Sequence, residues 1–448
     1  MHRLRAVLAA VTLGAPFAAS AADITRIASS FEDDDPFDLF IDVGFERTQT
    51  RAKIVREQLP SQVVQDPDNP DTSAGRPLAS ELWYKGVDAR LNLELAFGLY
   101  RDLEFSFTLP LVFQQNERWD RTSDANAGNS SITNNCLNAN GSVRTGCTPD
   151  TAATAGLPLF GVPQESFRGG LGNMHFGLAY AFFKQEKDPT KPTWIVGLDY
   201  EAPTAKQRDP SVDTTNPDER GNIGDRVHKY QLYTAFSRRV GVAEPYFRAH
   251  YTIPVRGPGI YSNCDQARNV DTRDNLGAPE NCGTGPWTRK ELGIQAPTQA
   301  GMMFGLELVP FEKPSKSQKF ALDIRTIGNY VGKGRYYNEL SSALGKLLTS
   351  EDYFQVGGMV GVNANAAESF TIRASGTFLY NTDHTLTAEE LGRDLNGNGQ
   401  VDAEPPVGGG IAEELNPSFD WRYDLVSRRF RAVESTTFRF DLSATFNF

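Results

Sequence analysis

Apolar and polar residues alternate strictly in segment after segment of this chain. Between Phe438 and Phe448 the apolar side chains are Phe438, Phe440, Leu442, Ala444, Phe446 and Phe448, and Arg439, Asp441, Ser443, Thr445 and Asn447 fill the gaps. A period of two describes a strand with one apolar and one polar face. Val87 to Phe113 shows the pattern twice. Val87, Ala89, Leu91, Leu93, Leu95 and Phe97 alternate with Asp88, Arg90, Asn92 and Glu94. After a turn at 98–102, Leu103, Phe105, Phe107, Leu109, Leu111 and Phe113 alternate with Glu104, Ser106 and Thr108. Each arm exceeds the ~9–11 residues that carry a tilted strand across a bilayer.

The same unit recurs along the chain. Met174, Phe176, Leu178, Tyr180 and Phe182 form one apolar row, and Trp194, Val196, Leu198 and Tyr200 the next. Hairpins follow at 228–255, 298–332 and 353–384, with a first strand at 37–50 and a last at 431–448. Short turns on one side alternate with long polar loops at about 53–80, 117–168, 205–227, 256–296, 333–352 and 385–429. That asymmetry, with about 12 strands, predicts an all-β fold: a transmembrane antiparallel up-and-down β-barrel with short periplasmic turns and long extracellular loops. The last strand is expected to pair with the first and close the ring.

The start of the chain fits this reading. His2, Arg3 and Arg5 precede an Ala-rich apolar stretch, Ala6 to Ala18, and Ala19-Ser20-Ala21 has the A-x-A form of a cleavage site. Residues 1–21 therefore read as a secretory signal peptide, residues 22–36 as a polar, solvated periplasmic segment with the acidic run Glu32-Asp33-Asp34-Asp35, and 37–448 as the barrel. The apolar stretch is shorter than the ~20 residues of a spanning helix. Without Arg3 and Arg5, the chain has 43 basic and 56 acidic residues, a net charge of −13. That excludes nucleic acid as an expected partner. The expected partners are outer-membrane lipid, a small-molecule solute, and the barrel assembly machinery, which would read the Phe-terminated last strand. The expected location is the outer membrane of a Gram-negative bacterium, and the expected state a monomer.

Candidate chemistry lies first on the lumen register. Continuing the alternation inward collects Asp88, Arg90, Glu94, Glu104, His175, Asp199, Glu201, Arg248, His250, Glu307, Asp323, Arg325, Arg373, Arg439 and Asp441. A Lys or Arg facing lipid at mid-membrane would cost about 2–4 kcal/mol, so the register places these charges inside. They could line a polar channel or fill the barrel with ion pairs. Pro110, Pro203 and Pro254 lie late on three strands; proline cannot donate to a ladder. They mark either strand ends or a kink that opens a lateral path for an apolar solute. Asp394-Leu-Asn-Gly-Asn-Gly-Gln-Val-Asp402 resembles a calcium loop, with Asp394, Asn396, Asn398, Gln400 and Asp402 as oxygen ligands and Glu404 as the closing acid. Glu404 falls one position early for that role, with Pro405 in its place. Cys136, Cys147, Cys264 and Cys282 lie in predicted loops, and an even count in an exported chain favours disulfides. Three pairings are possible; Cys136–Cys147 with Cys264–Cys282 keeps each bond within one loop. No G-x-S-x-G, H-E-x-x-H or Gly-rich phosphate loop is present, and an enzyme is not expected.

The strings GLYRDLEFSFTLPLVF, GGLGNMHFGLAYAFF and TWIVGLDYEAPTAK, at 98–113, 169–183 and 193–206, resemble the outer-membrane family named for the phenol meta-cleavage pathway. Asn173 stands where that family has Asp, and Ala205 where it has Gly. The resemblance covers roughly 80–260. It implies a transporter-like barrel akin to fatty-acid and aromatic-hydrocarbon channels, and so a porin-like role passing small hydrophobic or aromatic solutes. The other reading is a non-transporting barrel that displays stapled, calcium-binding loops for adhesion or surface interaction.

Overall fold

In the computed structural model, the residues described are 22–31, 37–57, 78–125, 130–132, 159–268, 282, 286–367, 369–402, 413–420 and 422–448. The strands are β1 (Leu39–Glu57), β2 (Leu78–Tyr100), β3 (Leu103–Arg121), β4 (Glu165–Leu171), β5 (Met174–Phe183), β6 (Thr193–Ala202), β7 (Val227–Ser237) and β8 (Ala243–Arg256). They continue with β9 (Gln299–Lys313), β10 (Gln318–Val331), β11 (Gly334–Tyr336), β12 (Leu348–Ser350), β13 (Tyr353–Ala367), β14 (Phe370–Asn381), β15 (His384–Thr385) and β16 (Phe430–Asn447). β4 and β5 both pair with β3 and form one wall strand interrupted at 172–173. Consecutive wall strands pair antiparallel and β16 returns to β1, which closes a barrel of 12 strands. Closure removes both sheet edges, the condition for putting strands into lipid.

The seam lies where the alternation placed it. Phe40 faces Asn447 and Thr48 faces Arg439, and Leu39 and Phe448 exchange backbone hydrogen bonds of 3.0 and 2.9 Å. The apolar rows form the exterior: Leu95, Phe113, Leu178, Phe182, Leu232, Phe304, Ile324, Phe354, Phe378 and Phe438 are all exposed. In water such a belt would drive aggregation; facing hydrocarbon it needs no cover. The exterior is thus that of an outer-membrane barrel. Both ends of the wall, Leu39 and Phe448, lie with the short turns, so that mouth is periplasmic.

Two regions differ from the expectation. The strands rise beyond the predicted membrane span: β1 runs on to Glu57 rather than ending at residue 50, and β2 begins at Leu78. A register shift opposite Arg51–Lys53, at Glu434 with φ 52°, turns the alternation of β16 over, so that Ala432 and Phe430 are buried where Phe438 and Phe440 are exposed. Ala52 and Ile54, which keep the inward register of Thr48 and Thr50, join them in an apolar core inside the outer half of the barrel. There Leu82, Trp119 and Phe430 meet Leu340, Leu344 and Leu348 of the 332–352 loop, which folds inward.

The second difference is the N-terminal segment, which was expected to be solvated. Ala22, Thr25 and Ile27 to Ser30 are instead buried in the periplasmic mouth. Ile27 packs on Ala179, Ala181, Ile195 and Ala235 of β5, β6 and β7. These are apolar residues on the otherwise polar lumen register. Ser30 exchanges backbone hydrogen bonds with Arg101 at the β2–β3 turn. Gly98 permits this approach, because a Cβ there would stand 2.9 Å from the Ser30 nitrogen and closer still to the Ser29 carbonyl. Burial of Ile27 and capture of the backbone by wall groups outweigh the polar character of the segment. The acidic run 32–35 lies outside the described residues.

Candidate functional site

A cavity of about 1000 Å³ occupies the lumen between the N-terminal segment and the inward loop. Of the residues placed inward by the sequence, Asp88, Arg90, Glu94, Glu104, His175, Asp199, Glu201 and Arg248 line it. The wall presents its cations in pairs. Arg90 Nε lies 2.8 Å from Asp88 Oδ1 and 3.8 Å from Glu46 Oε1. Arg248 Nη2 lies 3.7 Å from Asp199 Oδ2. Lys229 Nζ bridges Glu201 Oε1 at 2.9 Å and Asp225 Oδ2 at 3.0 Å. Arg208, from the 203–226 loop, donates to Glu117 Oε2 at 3.0 Å, and Ser342 Oγ donates to the same oxygen at 2.6 Å. Carboxylates outnumber ammonium and guanidinium groups: Glu46, Asp88, Glu94, Glu104, Glu117, Asp199, Glu201 and Glu339 against Arg90, Arg208, Lys229 and Arg248. The field inside therefore favours positive charge.

The other inward residues stand apart from the cavity. Glu307 pairs with Lys319 at 2.8 Å. Asp323 accepts from Arg325 Nε at 2.9 Å and from the Tyr246 hydroxyl. Arg373 donates to Thr445 Oγ1 at 2.8 Å and lies 3.6 Å from Asp42. Arg439 and Asp441 pair with each other at 3.2 Å, and His250 stands opposite Gly301. None of these lines the large cavity. The lumen is thus neither uniformly filled nor uniformly open: ion pairs on β9, β10, β14 and β16 occupy part of it, and the cavity lies among the other inward residues.

Aromatic rings supply much of the remaining lining: Tyr84, Tyr233, Tyr336, Tyr337 and Tyr353. Tyr336 and Tyr337 come from the inward loop. Burial pushes both hydroxyls well above the usual tyrosine range, so both donate: Tyr336 to Asp225 Oδ2 at 2.5 Å and Tyr337 to the Arg208 carbonyl at 2.7 Å. Lys229 and Tyr233 could have been found from the alternation of β7, where they sit opposite the outward Tyr230 and Leu232. Arg208, Tyr336 and Tyr337 lie in loops without periodicity and carried no such signal.

The three prolines divide. Pro110 pairs with Asn92 and lies beside the break in the fourth wall strand; its carbonyl accepts from Gly172 at 2.9 Å. A Cβ on Gly172 would stand 3.0 Å from the Pro110 ring, so this tight contact fixes the interruption. Pro203 follows the last residue of β6, and Pro254 lies past the final β8–β9 pair, Thr252 with Gln299. Pro203 thus ends its strand, whereas Pro254 lies inside β8 and pairs with Lys229 of β7, two residues before β8 ends at Arg256. Beyond the break, the 203–226 loop replaces β6 as the partner of β4, with Phe167 N donating to Thr214 O at 2.8 Å and Gly169 N to Gly221 O at 3.1 Å.

In the last loop, Asp394 Oδ1 and Oδ2 accept from Gly397 and Gly399 N–H at 2.6 and 2.7 Å, and Asn396 Nδ2 donates to Asp402 Oδ2 at 2.9 Å. Asn398 Oδ1 accepts from Gln400 N at 2.8 Å. Glu414 closes this turn, taking Asp402 N at 2.7 Å and Leu395 N at 2.9 Å. Glu404, the suggested closing acid, lies outside the described residues. Groups of three or more His, Cys, Asp or Glu that could hold a metal do not occur among the described residues. Cys264 and Cys282 form a disulfide with Cα atoms 5.5 Å apart, as the local pairing required. Cys136 and Cys147 lie outside the described residues.

No family model and no curated protein matches this chain. Solved structures that resemble it are outer-membrane barrels. An outer membrane channel from Pseudomonas putida F1 is 10% identical over 91% of this chain and 95% of its own, with a TM-score of 0.42. A Pseudomonas aeruginosa FadL homologue is 8% identical over 92% and 90%, with a TM-score of 0.34. A deltaS2 mutant of the TodX monoaromatic hydrocarbon channel is 10% identical over 92% and 90%, with a TM-score of 0.32. These likenesses concern the barrel fold.

Proposed function

We propose that this protein is a gated outer-membrane channel for small solutes, and that its cargo is a small aromatic compound bearing polar groups. The observation that carries this is the cavity of about 1000 Å³ lined by both rings and charges. Twelve strands enclose more space than the eight-stranded barrels that side chains fill. The aromatic faces offer stacking, worth about 0.5–1.5 kcal/mol per pair. The paired charges and tyrosine hydroxyls orient a hydroxyl or amine, and the excess of carboxylates favours a neutral or cationic solute over an anion. A purely apolar solute has little reason to enter this space along the axis. Its alternative is the lateral route beside Pro110, which requires the 203–226 loop to leave β4. Replacing Pro110, Pro203 and Pro254 with Thr tests that route, and unchanged uptake rejects it.

The covers make the channel gated. The inward loop closes the outer side and the N-terminal segment the periplasmic side, so conduction requires one or both to move. Parts of the 333–352 and 385–429 loops pack over the mouth, with Leu340, Leu344 and Leu386 buried. The test is planar-bilayer conductance together with uptake of a labelled phenolic compound into proteoliposomes. Uptake that saturates and falls when Tyr233 and Tyr337 are replaced by Ala is expected. Absence of both conductance and uptake, in the parent chain and in one lacking residues 22–30, overturns the proposal and leaves the display role. Calcium is proposed as a ligand of the 394–402 turn, with Glu414 as its closing acid; calorimetric titration that shows no heat at millimolar Ca²⁺ removes it.

A further inference from the structure

The periplasmic side of the wall contains a row of buried acids. Glu244 on β8 faces Glu307 on β9, and Glu307 faces Asp323 on β10. All three are 1–2% exposed. Like charges opposite one another across a ladder repel, and a buried carboxylate without a counter-ion costs several kcal/mol. Two of the acids have side-chain cations. Lys319 Nζ lies 2.8 Å from Glu307, and Arg325 Nε donates to Asp323 at 2.9 Å. Glu244 pairs with no Lys or Arg side chain among the described residues. The backbone nitrogen of Ala22 meets its Oε1 at 2.5 Å, with Ala22 itself fully buried, and beside it act only the Ser237 hydroxyl and the more distant charge of Lys319, which is already paired with Glu307.

In an uncut chain that nitrogen is a neutral amide, which offers one hydrogen bond and no charge. The A-x-A motif Ala19-Ser20-Ala21 places a peptidase cut immediately before it. Hydrolysis of the Ala21–Ala22 peptide bond puts a carboxylate on Ala21 and an α-ammonium on Ala22. Two independent observations, a cleavage motif in the sequence and an acid lacking a side-chain cation in the wall, meet on one atom.

We propose that cleavage after Ala21 creates the missing counter-ion: the new α-ammonium of Ala22 pairs with Glu244 and locks residues 22–30 into the periplasmic mouth as a plug. The remaining contacts align the segment behind that anchor. Ala28 N donates to Glu104 Oε2 at 2.5 Å, Ser29 N to Asp38 Oδ2 at 2.7 Å, and Thr25 Oγ1 meets Ser237 Oγ at 2.7 Å. Ile27 fills the apolar patch of Ala179, Ala181, Ile195 and Ala235. Signal-peptide removal is therefore also the step that sets the plug, because the precursor lacks the charge that Glu244 requires. The proposal rests on the signal-peptide reading and is independent of whether the lumen conducts.

The test uses full-length protein purified from outer membranes. N-terminal sequencing is expected to begin at Ala22; a start at any other residue overturns the proposal. Ile27→Cys is then introduced into a chain whose Cys136 and Cys147 are replaced by Ser, and its labelling by a membrane-impermeant maleimide is timed. Three forms are compared: the parent, Glu244→Gln, and a chain with Gly-Ser inserted between Ala21 and Ala22, which moves the ammonium two residues away. Labelling at least tenfold faster in both altered forms is expected. Equal labelling in the parent and the insertion form overturns the proposal, and that form leaves the barrel sequence intact should Glu244→Gln fail to assemble. Heat-dependent gel mobility reports barrel assembly separately, and no readout requires transport.

Discussion

A buried ion pair helps hold the cover over the outer mouth, and replacing Glu389 with Gln should loosen it. Glu389 accepts from Arg335 Nε at 2.8 Å, from Thr349 Oγ1 at 2.6 Å and from Asn416 Nδ2 at 2.9 Å. It thereby ties β11, β12 and the 413–420 segment together. Burial works against its ionisation, but Arg335 and the hydrogen bonds from Thr349 and Asn416 outweigh burial and hold the carboxyl at about 2, against an ordinary 4.5. At ~1.4 kcal/mol per pH unit, that difference corresponds to about 3 kcal/mol, at the lower end of the ~3–5 kcal/mol typical of breaking a buried pair. A depressed carboxylate contributes its stability fully above pH 4.5 and loses it as pH falls towards about 2. Asp424 acts in the opposite sense: burial, opposed by Lys346 and reinforced by Glu389, pushes it up to about 7. Its protonated form suits the closed cover, and that contribution fades as pH rises from about 4 through 7. The cover should thus be tightest near pH 4–5. At pH 7.5, Glu389→Gln should cut the hydrogen-exchange protection of residues 334–350 by roughly 100-fold and leave the wall amides unchanged. A fall of less than threefold, or an equal fall in the wall, would refute the reasoning.

Two further outcomes are expected. Deleting Phe448 removes the two backbone hydrogen bonds to Leu39, each worth about 0.5–1.5 kcal/mol, together with the terminal ring; heat-modifiable gel mobility should show less assembled barrel, while the barrels that do assemble conduct as before. Replacing Cys264 and Cys282 with Ser reopens an 18-residue loop, a loss of about 3 kcal/mol on loop-closure grounds, so limited proteolysis should nick the 256–299 loop and spare the wall.

The wall was legible because lipid on one side and lumen on the other impose the same period of two on every strand. The inward position of Asp88, Arg90, Glu94, Glu104 and Arg248 followed from that period. Ile195 and Ala235, apolar on the polar register, carried a readable sign that something docks inside, but the sign did not name Ile27. The cavity lining was half hidden, because Arg208, Tyr336 and Tyr337 reach it from loops whose sequence has no periodicity.

The sequence by itself determined the barrel, its seam at Phe438–Phe448 and its outward face, because each depends on local alternation. Only the tertiary structure decided which acids face one another, where the lumen is filled and where it is open, and that the N-terminal segment lies inside. Those depend on contacts between residues far apart in the chain, such as Ala22 with Glu244 or Ser342 with Glu117. Burial of the whole set, and not the character of either residue alone, fixes the energy of such contacts.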